Sequence, residues 1–216
     1  MIYSILDTDL YKFTTSYAYI KLFPYASGTF SFTDRDQTVC SDHFLAELKE
    51  AIDQMRRIAL TGDELEYMTH TCRFLPRVYW EWLSSFRFQP EKVNVWLDEE
   101  RHLHMEVTDY MYKVTLYEVP LLALVSEVRN RVMGHVPDLD KVVARLVDKV
   151  SLSNRSHLSF SEFGTRRRFS FEVHDTVIGY LKQHALYCTG TSNCYFAMKY
   201  NICLLYTSPS PRDYAA

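Results

Sequence analysis

The last third of the chain alternates short apolar strands with amphipathic helices, and that order restricts its fold most. HLSFSEFG (157–164) reads as a strand and RRFSFEVHDTVIGYLKQH (167–184) as a helix, then ALYCTGTSN (185–193) as a strand with its exit loop and CYFAMKYN (194–201) as a helix. Strand and helix repeating at this spacing imply βα units on a parallel sheet. Two helices lead into them: PLLALVSEVRNRVMG, ending at Gly134, and PDLDKVVARLVDKVSLSN, whose Leu139, Val142, Val143, Leu146 and Val150 form a stripe expected to face a core.

The region before them has a different texture. A helix is expected from Asp7 or Thr8, a strand in ASGTFSFTDRD with Phe30 and Phe32 on one face, and a helix in SDHFLAELKEAIDQMRRIAL capped by Ser41 or Asp42. Thr61 and Glu64 make a capping box, Pro76 opens another helix, and KVNVWLD, HLHMEVTD and YMYKVTLYEV read as three strands. These patterns predict an α+β domain over 1–125 and the first βα units over 126–203. LLYTSPSPRDYAA (204–216) has two Ser-Pro pairs and no period, and reads as an unstructured tail. Two parallel strands cannot close a barrel by themselves, so the core reads as unfinished.

Composition excludes several classes of function. With 24 Lys+Arg against 27 Asp+Glu and a net charge of -3, neither nucleic-acid binding nor a polybasic membrane patch is the main activity. The five cysteines are odd in number and form no CxxC, which fits ordinary reduced thiols. No run of 18 apolar residues or leader pattern is present, so the expected location is cytoplasmic.

Anion binding must therefore be local, and SFSEFGTRRRFSFEV (159–173) is where to look. Three adjacent arginines at the start of a helix sit against the positive end of its dipole, which is unfavourable unless an anion faces them. Strand ends collect chemistry in parallel βα folds. Phe163-Gly164-Thr165 and Gly190-Thr191-Ser192-Asn193 are two such ends. Gly164 allows a tight turn and close approach, the hydroxyls of Thr165, Thr191 and Ser192 can donate, and Arg166, Arg167 and Arg168 suit phosphate or carboxylate. The arginines could instead be a solvated face paired with Glu162, Glu172 or Asp175.

In DTDLYK, Asp7 and Asp9 read either as first-turn acids or as part of a site that Tyr11 and Lys12 share, with Phe163 as a second aromatic plate for a planar ring. His102 and His104 lie two apart without further ligands at metal spacing, so no protein-bound metal is expected. His157 and His174 flank the arginines and could touch a ligand.

LDTDLYK (6–12), LYEVPLLALVSEV (116–128), FGTRRRFSFEV (163–173) and GTSNCYFAMKY (190–200), in that order, resemble nicotinate phosphoribosyltransferase over residues 4 to about 202. The resemblance implies an α+β N-terminal domain followed by the beginning of an irregular, incomplete α/β (TIM-like) barrel. It implies formation of nicotinate mononucleotide and diphosphate from nicotinate and 5-phosphoribosyl 1-diphosphate with ATP hydrolysis, in NAD biosynthesis, with Mg²⁺ on the leaving group. It also implies a homodimer in the full-length form, with Tyr11 stacking across the dimer on nicotinate opposite Phe163. Arg166 becomes the catalytic arginine that meets the anions. Phe163, Gly164, Thr165, Arg167, Ser192 and Asn193 join Tyr11 as substrate-binding residues, with Arg168 a further carry-over.

Enzymes of the family also carry a histidine that ATP phosphorylates, and no histidine follows His184 here, so a truncated, impaired copy is expected. A nicotinamide or quinolinate phosphoribosyltransferase, or a non-catalytic anion-binding or interaction module, are the alternatives.

Overall fold

The computed structural model describes residues 1–34 and 37–206. The first part is α+β. Helix α1 (Tyr11–Leu22) is followed by β1 (Ser27–Ser31), α2 (Asp42–Gln54), α3 (Gly62–Thr71), α4 (Arg77–Ser85), β2 (Val93–Leu97) and β3 (Leu103–Tyr110). The strands make one antiparallel sheet in the order β1-β3-β2, with Thr29 opposite Thr108 and Val95 opposite Met105. Ser41 caps α2 through the Phe44 amide, and the Thr61–Glu64 capping box closes reciprocally. Phe13, Leu48, Met68, Trp80, Leu83 and Met105 fill the core between sheet and helices.

The second part is built on α5 (Met111–Val132), α6 (Leu139–Ser156), β4 (Phe160–Glu162), α7 (Phe171–His184), β5 (Cys188–Thr191) and α8 (Cys194–Tyr200). β4 and β5 are parallel. Leu204 is buried and adds a parallel bridge to Thr191 on the other side of β5, so Leu204 and Leu205 continue the sheet where a tail was expected from residue 204. The rest of that expected tail, 207–216, lies outside the described residues, as do Arg35 and Asp36 of the first expected strand.

Four local expectations change. YMYKVTLYEV is no strand: from Met111 it opens α5, a helix buried on most of its faces, so its apolar residues leave no helical period to read. Pro120 sits inside α5, and the expected boundary at 125–126 falls within the same unbroken helix. Helix α1 starts at Tyr11 because the preceding segment is tied elsewhere: Thr8 O and Leu6 O accept from the Cys194 and Tyr195 amides, and Asp9 bridges Asn193. The stripe on α6 is only partly covered, with Val150 buried, Val142, Val143 and Leu146 half-buried and Leu139 exposed.

Candidate active site

The two parallel strands end side by side, and their carboxyl ends carry the two motifs. After β4, Thr165–Arg167 forms a single 3-10 turn, Arg168 is extended, and α7 starts at Phe171 with Ser170 as its cap. The arginines therefore precede the helix instead of crowding its positive end, which removes the electrostatic objection raised by the sequence. After β5, Asn193 caps α8 by accepting from the Phe196 amide. The opening segment 7–12 lies across both ends, with the Leu10 amide donating to Ser192 O.

The three arginines divide into different environments. Arg168 is buried, its side chain 1% exposed, and it grips Asp7 through two hydrogen bonds of 2.7 and 2.8 Å and donates to Met1 O. Asn193 Nδ2 donates to the same Asp7 carboxylate at 2.9 Å and to Thr165 Oγ1 at 3.1 Å. One buried cluster thus joins the three motifs. Arg166 is half-exposed, 3.4 Å from Glu118 and 3.7 Å from Asp9, with its guanidinium 6.0 Å from the Tyr11 ring of the same chain. Arg167 is exposed and makes no side-chain ion pair or hydrogen bond among the described residues.

A cleft of ≈ 940 Å³ opens between this turn and α5. Phe163, Gly164, Arg166 and Arg167 line one wall; Arg129 and Asn130 of α5 and Phe32 line the facing side. Phe163 stands half open, 38% exposed. Thr165, Ser192 and Asn193, expected to touch substrate, are instead buried and hydrogen-bonded within the protein. Asn193 bonds the Thr165 hydroxyl of the turn, and Ser192 bonds Asp9. Tyr11 flanks Arg166 without lining the cleft.

Carboxylates behind the cleft are engaged. Burial raises the Asp9 carboxyl above its ordinary value against the hydrogen bond from Ser192 Oγ (2.7 Å) and the nearby Arg166 charge. Glu118 accepts from buried Lys12. Glu162 accepts from the Gly164 amide, from His174 Nε2 at 3.0 Å and from Thr191 Oγ1 at 2.5 Å. Glu172 bonds Tyr3 and Asp175 bonds Lys199, so none of Glu162, Glu172 and Asp175 pairs with an arginine of the run.

The histidine alternatives resolve differently. His104 and His102 both face Asp98, at 2.8 and 3.7 Å, and His104 stacks on Trp96. His157 ends α6 in the left-handed region and packs edge-on to Tyr187, away from the cleft. Among the described residues no group of three His, Cys, Asp or Glu could hold a metal. No described helix is long and apolar enough to cross a membrane.

Sequence reasoning missed Asp7 as the partner of Arg168 and Glu118 as a carboxylate facing Arg166. It named Glu162 and His174 beside the arginines, but not that the two pair with each other behind the turn.

Comparison with known proteins gives a consistent picture. Residues 6–126 match the family described as nicotinate phosphoribosyltransferase (NAPRTase) N-terminal domain, and 158–208 match the nicotinate phosphoribosyltransferase (NAPRTase) family. The nicotinate phosphoribosyltransferase of Chromohalobacter salexigens is 37% identical over 204 residues, 94% of this chain and 52% of that protein. That of Methanosarcina mazei is 37% identical over 220 residues, 94% and 54%. The crystal structure of nicotinate phosphoribosyltransferase from Porphyromonas gingivalis superposes with a TM-score of 0.93 at 43% identity, covering 97% of this chain and 54% of that one. The chain spans about half the length of the relatives it matches.

Proposed function

The chain belongs to the nicotinate phosphoribosyltransferase family, and from that premise we propose that its cleft contributes the nicotinate and 5-phosphoribosyl 1-diphosphate contacts of a reaction yielding nicotinate mononucleotide and diphosphate. The observation that carries the reading is the division of the arginines. Arg168 is buried against Asp7, whereas Arg166, half-exposed and loosely paired with Glu118 and Asp9, and exposed Arg167 line the cleft wall beside Phe163. Two cations next to an exposed ring fit a planar substrate with a carboxylate and a second substrate rich in phosphate.

In this reading Arg166 meets charge that develops as diphosphate leaves the anomeric carbon, and it is the catalytic residue. Phe163 stacks on the pyridine ring, and Tyr11 serves as a further plate, within one chain or across a homodimer. Gly164 gives ligand access to the turn, and Arg167 holds a phosphate. Thr165, Ser192 and Asn193 act by positioning. Any Mg²⁺ would enter with the diphosphate, whose oxygens would hold it. ATP coupling is a proposal for the whole family enzyme, of which the chain spans about half the length.

The test is titration calorimetry of the 216-residue chain with nicotinate and with nicotinamide, each with and without 5-phosphoribosyl 1-diphosphate. Preferential binding of nicotinate that Arg166→Ala abolishes supports the reading. Equal affinity for both pyridines, or binding indifferent to Arg166, overturns it.

A further inference from the structure

Glu162 has a position no substrate contact explains. Its carboxylate closes three hydrogen bonds at once, from the Gly164 amide, His174 Nε2 and Thr191 Oγ1, while its own carbonyl accepts from the Ser192 amide at 3.1 Å. One residue thus ties the end of β4, the turn after it, the end of β5 and helix α7 together. His174 is 4% exposed, its ring lies edge-on to Phe196 at 4.7 Å, and its Nδ1 has no hydrogen-bond partner among the described residues. Because a carboxylate only accepts, Nε2 carries the proton in this pair.

Gly164 records the same closeness. Its φ of -83° is open to any residue, so the glycine is not required by backbone conformation. A Cβ there would lie 2.7 Å from Glu162 Oε1 and 3.7 Å from His174 Nε2, so the carboxylate occupies the volume a side chain would need.

We infer that Glu162, backed by His174, is the positioning residue that fixes the Phe163–Arg166 turn in its cleft-facing form. It touches no substrate. It acts through the Gly164 amide, which sets the direction of Phe163 on one side and of Arg166 on the other. The role rests on the reading of the cleft as the substrate site, but the clamp itself can be tested without that reading. Burial alone would raise the Glu162 carboxyl, but the hydrogen bonds from His174, Thr191 and the Gly164 amide outweigh it and hold the group below its ordinary value. Asp9 and Cys188 are further titratable groups that sense its charge.

The experiment follows Glu162 Cδ and the Gly164 amide by NMR through an acid titration of the wild-type chain, with amide exchange measured on Glu162→Gln and Glu162→Leu. The expected result is one shared midpoint for the two nuclei and a Gly164 amide exchanging at least about tenfold faster in Glu162→Leu. Glu162→Gln, which keeps an acceptor, restores most of the protection. Nicotinate affinity measured on the same variants should follow the Gly164 protection. A Gly164 amide that ignores the Glu162 titration overturns the clamp even if Glu162→Leu fails to fold. Unchanged exchange in a folded Glu162→Leu overturns it too. A clamp that behaves as expected in a chain that binds no nicotinate sinks the substrate reading and leaves the clamp standing.

Discussion

The Arg168 guanidinium and the Asp7 carboxylate, 161 residues apart in the chain, meet in a two-point hydrogen-bonded pair at 2.7 and 2.8 Å, with side chains 1% and 0% exposed. Removing one partner of such a pair strands the other charge in the interior. Asp7→Ala or Arg168→Ala is therefore expected to cost about 3–5 kcal/mol. The Asp7→Ala, Arg168→Met double variant should be less destabilised than the sum of the single changes, because neither charge is left behind. Urea unfolding of the set measures both.

Arg166 behaves in the opposite way. At 44% side-chain exposure its removal should leave stability within about 0.5 kcal/mol of wild type. Ligand affinity, by contrast, should fall about 10- to 150-fold with the loss of a charge-assisted contact. Thermal unfolding and nicotinate calorimetry on Arg166→Ala separate the two effects.

Gly190 has a φ of 148°, and a Cβ there would collide with the Cys203 carbonyl, whose oxygen accepts from the Thr191 amide. Gly190→Ala should cost about 1–3 kcal/mol from backbone strain alone. Amide exchange should rise at Thr191 and Leu205, which share that edge, before it rises in the antiparallel sheet.

The acid limb of stability should carry the mark of Glu162. Its folded carboxyl lies below the ordinary 4.5, so its contribution is complete above that pH and is lost as pH falls through the folded value. Unfolding free energy measured from pH 7 downward should drop less steeply in Glu162→Gln than in wild type. Asp9, raised mainly by burial and in part by the Glu162 charge, titrates with the opposite sign, and Glu162→Gln should bring it down toward its ordinary value.

Much of this was legible in the sequence because it is local. Ser41, Thr61 and Glu64 announced their helix starts, and the βα alternation after residue 157 survived intact. Arg166, Phe163 and Gly164 were readable as cleft residues because a strand end in a parallel sheet faces outward. Arg168 was not: nothing in three identical neighbours says which is turned inward, and the answer depends on Asp7, far away in the chain. Thr165, Ser192 and Asn193 were readable as strand-end residues, but their places in a buried hydrogen-bond network were not, since a hydroxyl or amide at a strand end suits such a network as well as a ligand. Helix α5 was misread at its start because burial on most faces erases the period that marks a surface helix.

Helix α5 also decides how this protein can be recombined with its relatives. It packs against α1 and α2 on one side and against the arginine turn on the other, so it belongs to both parts at once. A chimera joined at residues 125–126 would splice two half-helices from different parents, each selected against neighbours the other has never met. The stretch from Met133 to Asp138, with Gly134 in the left-handed region, is exposed apart from half-buried Pro137. Crossovers placed there would transmit α5 whole, as a single heritable block with the antiparallel sheet it covers.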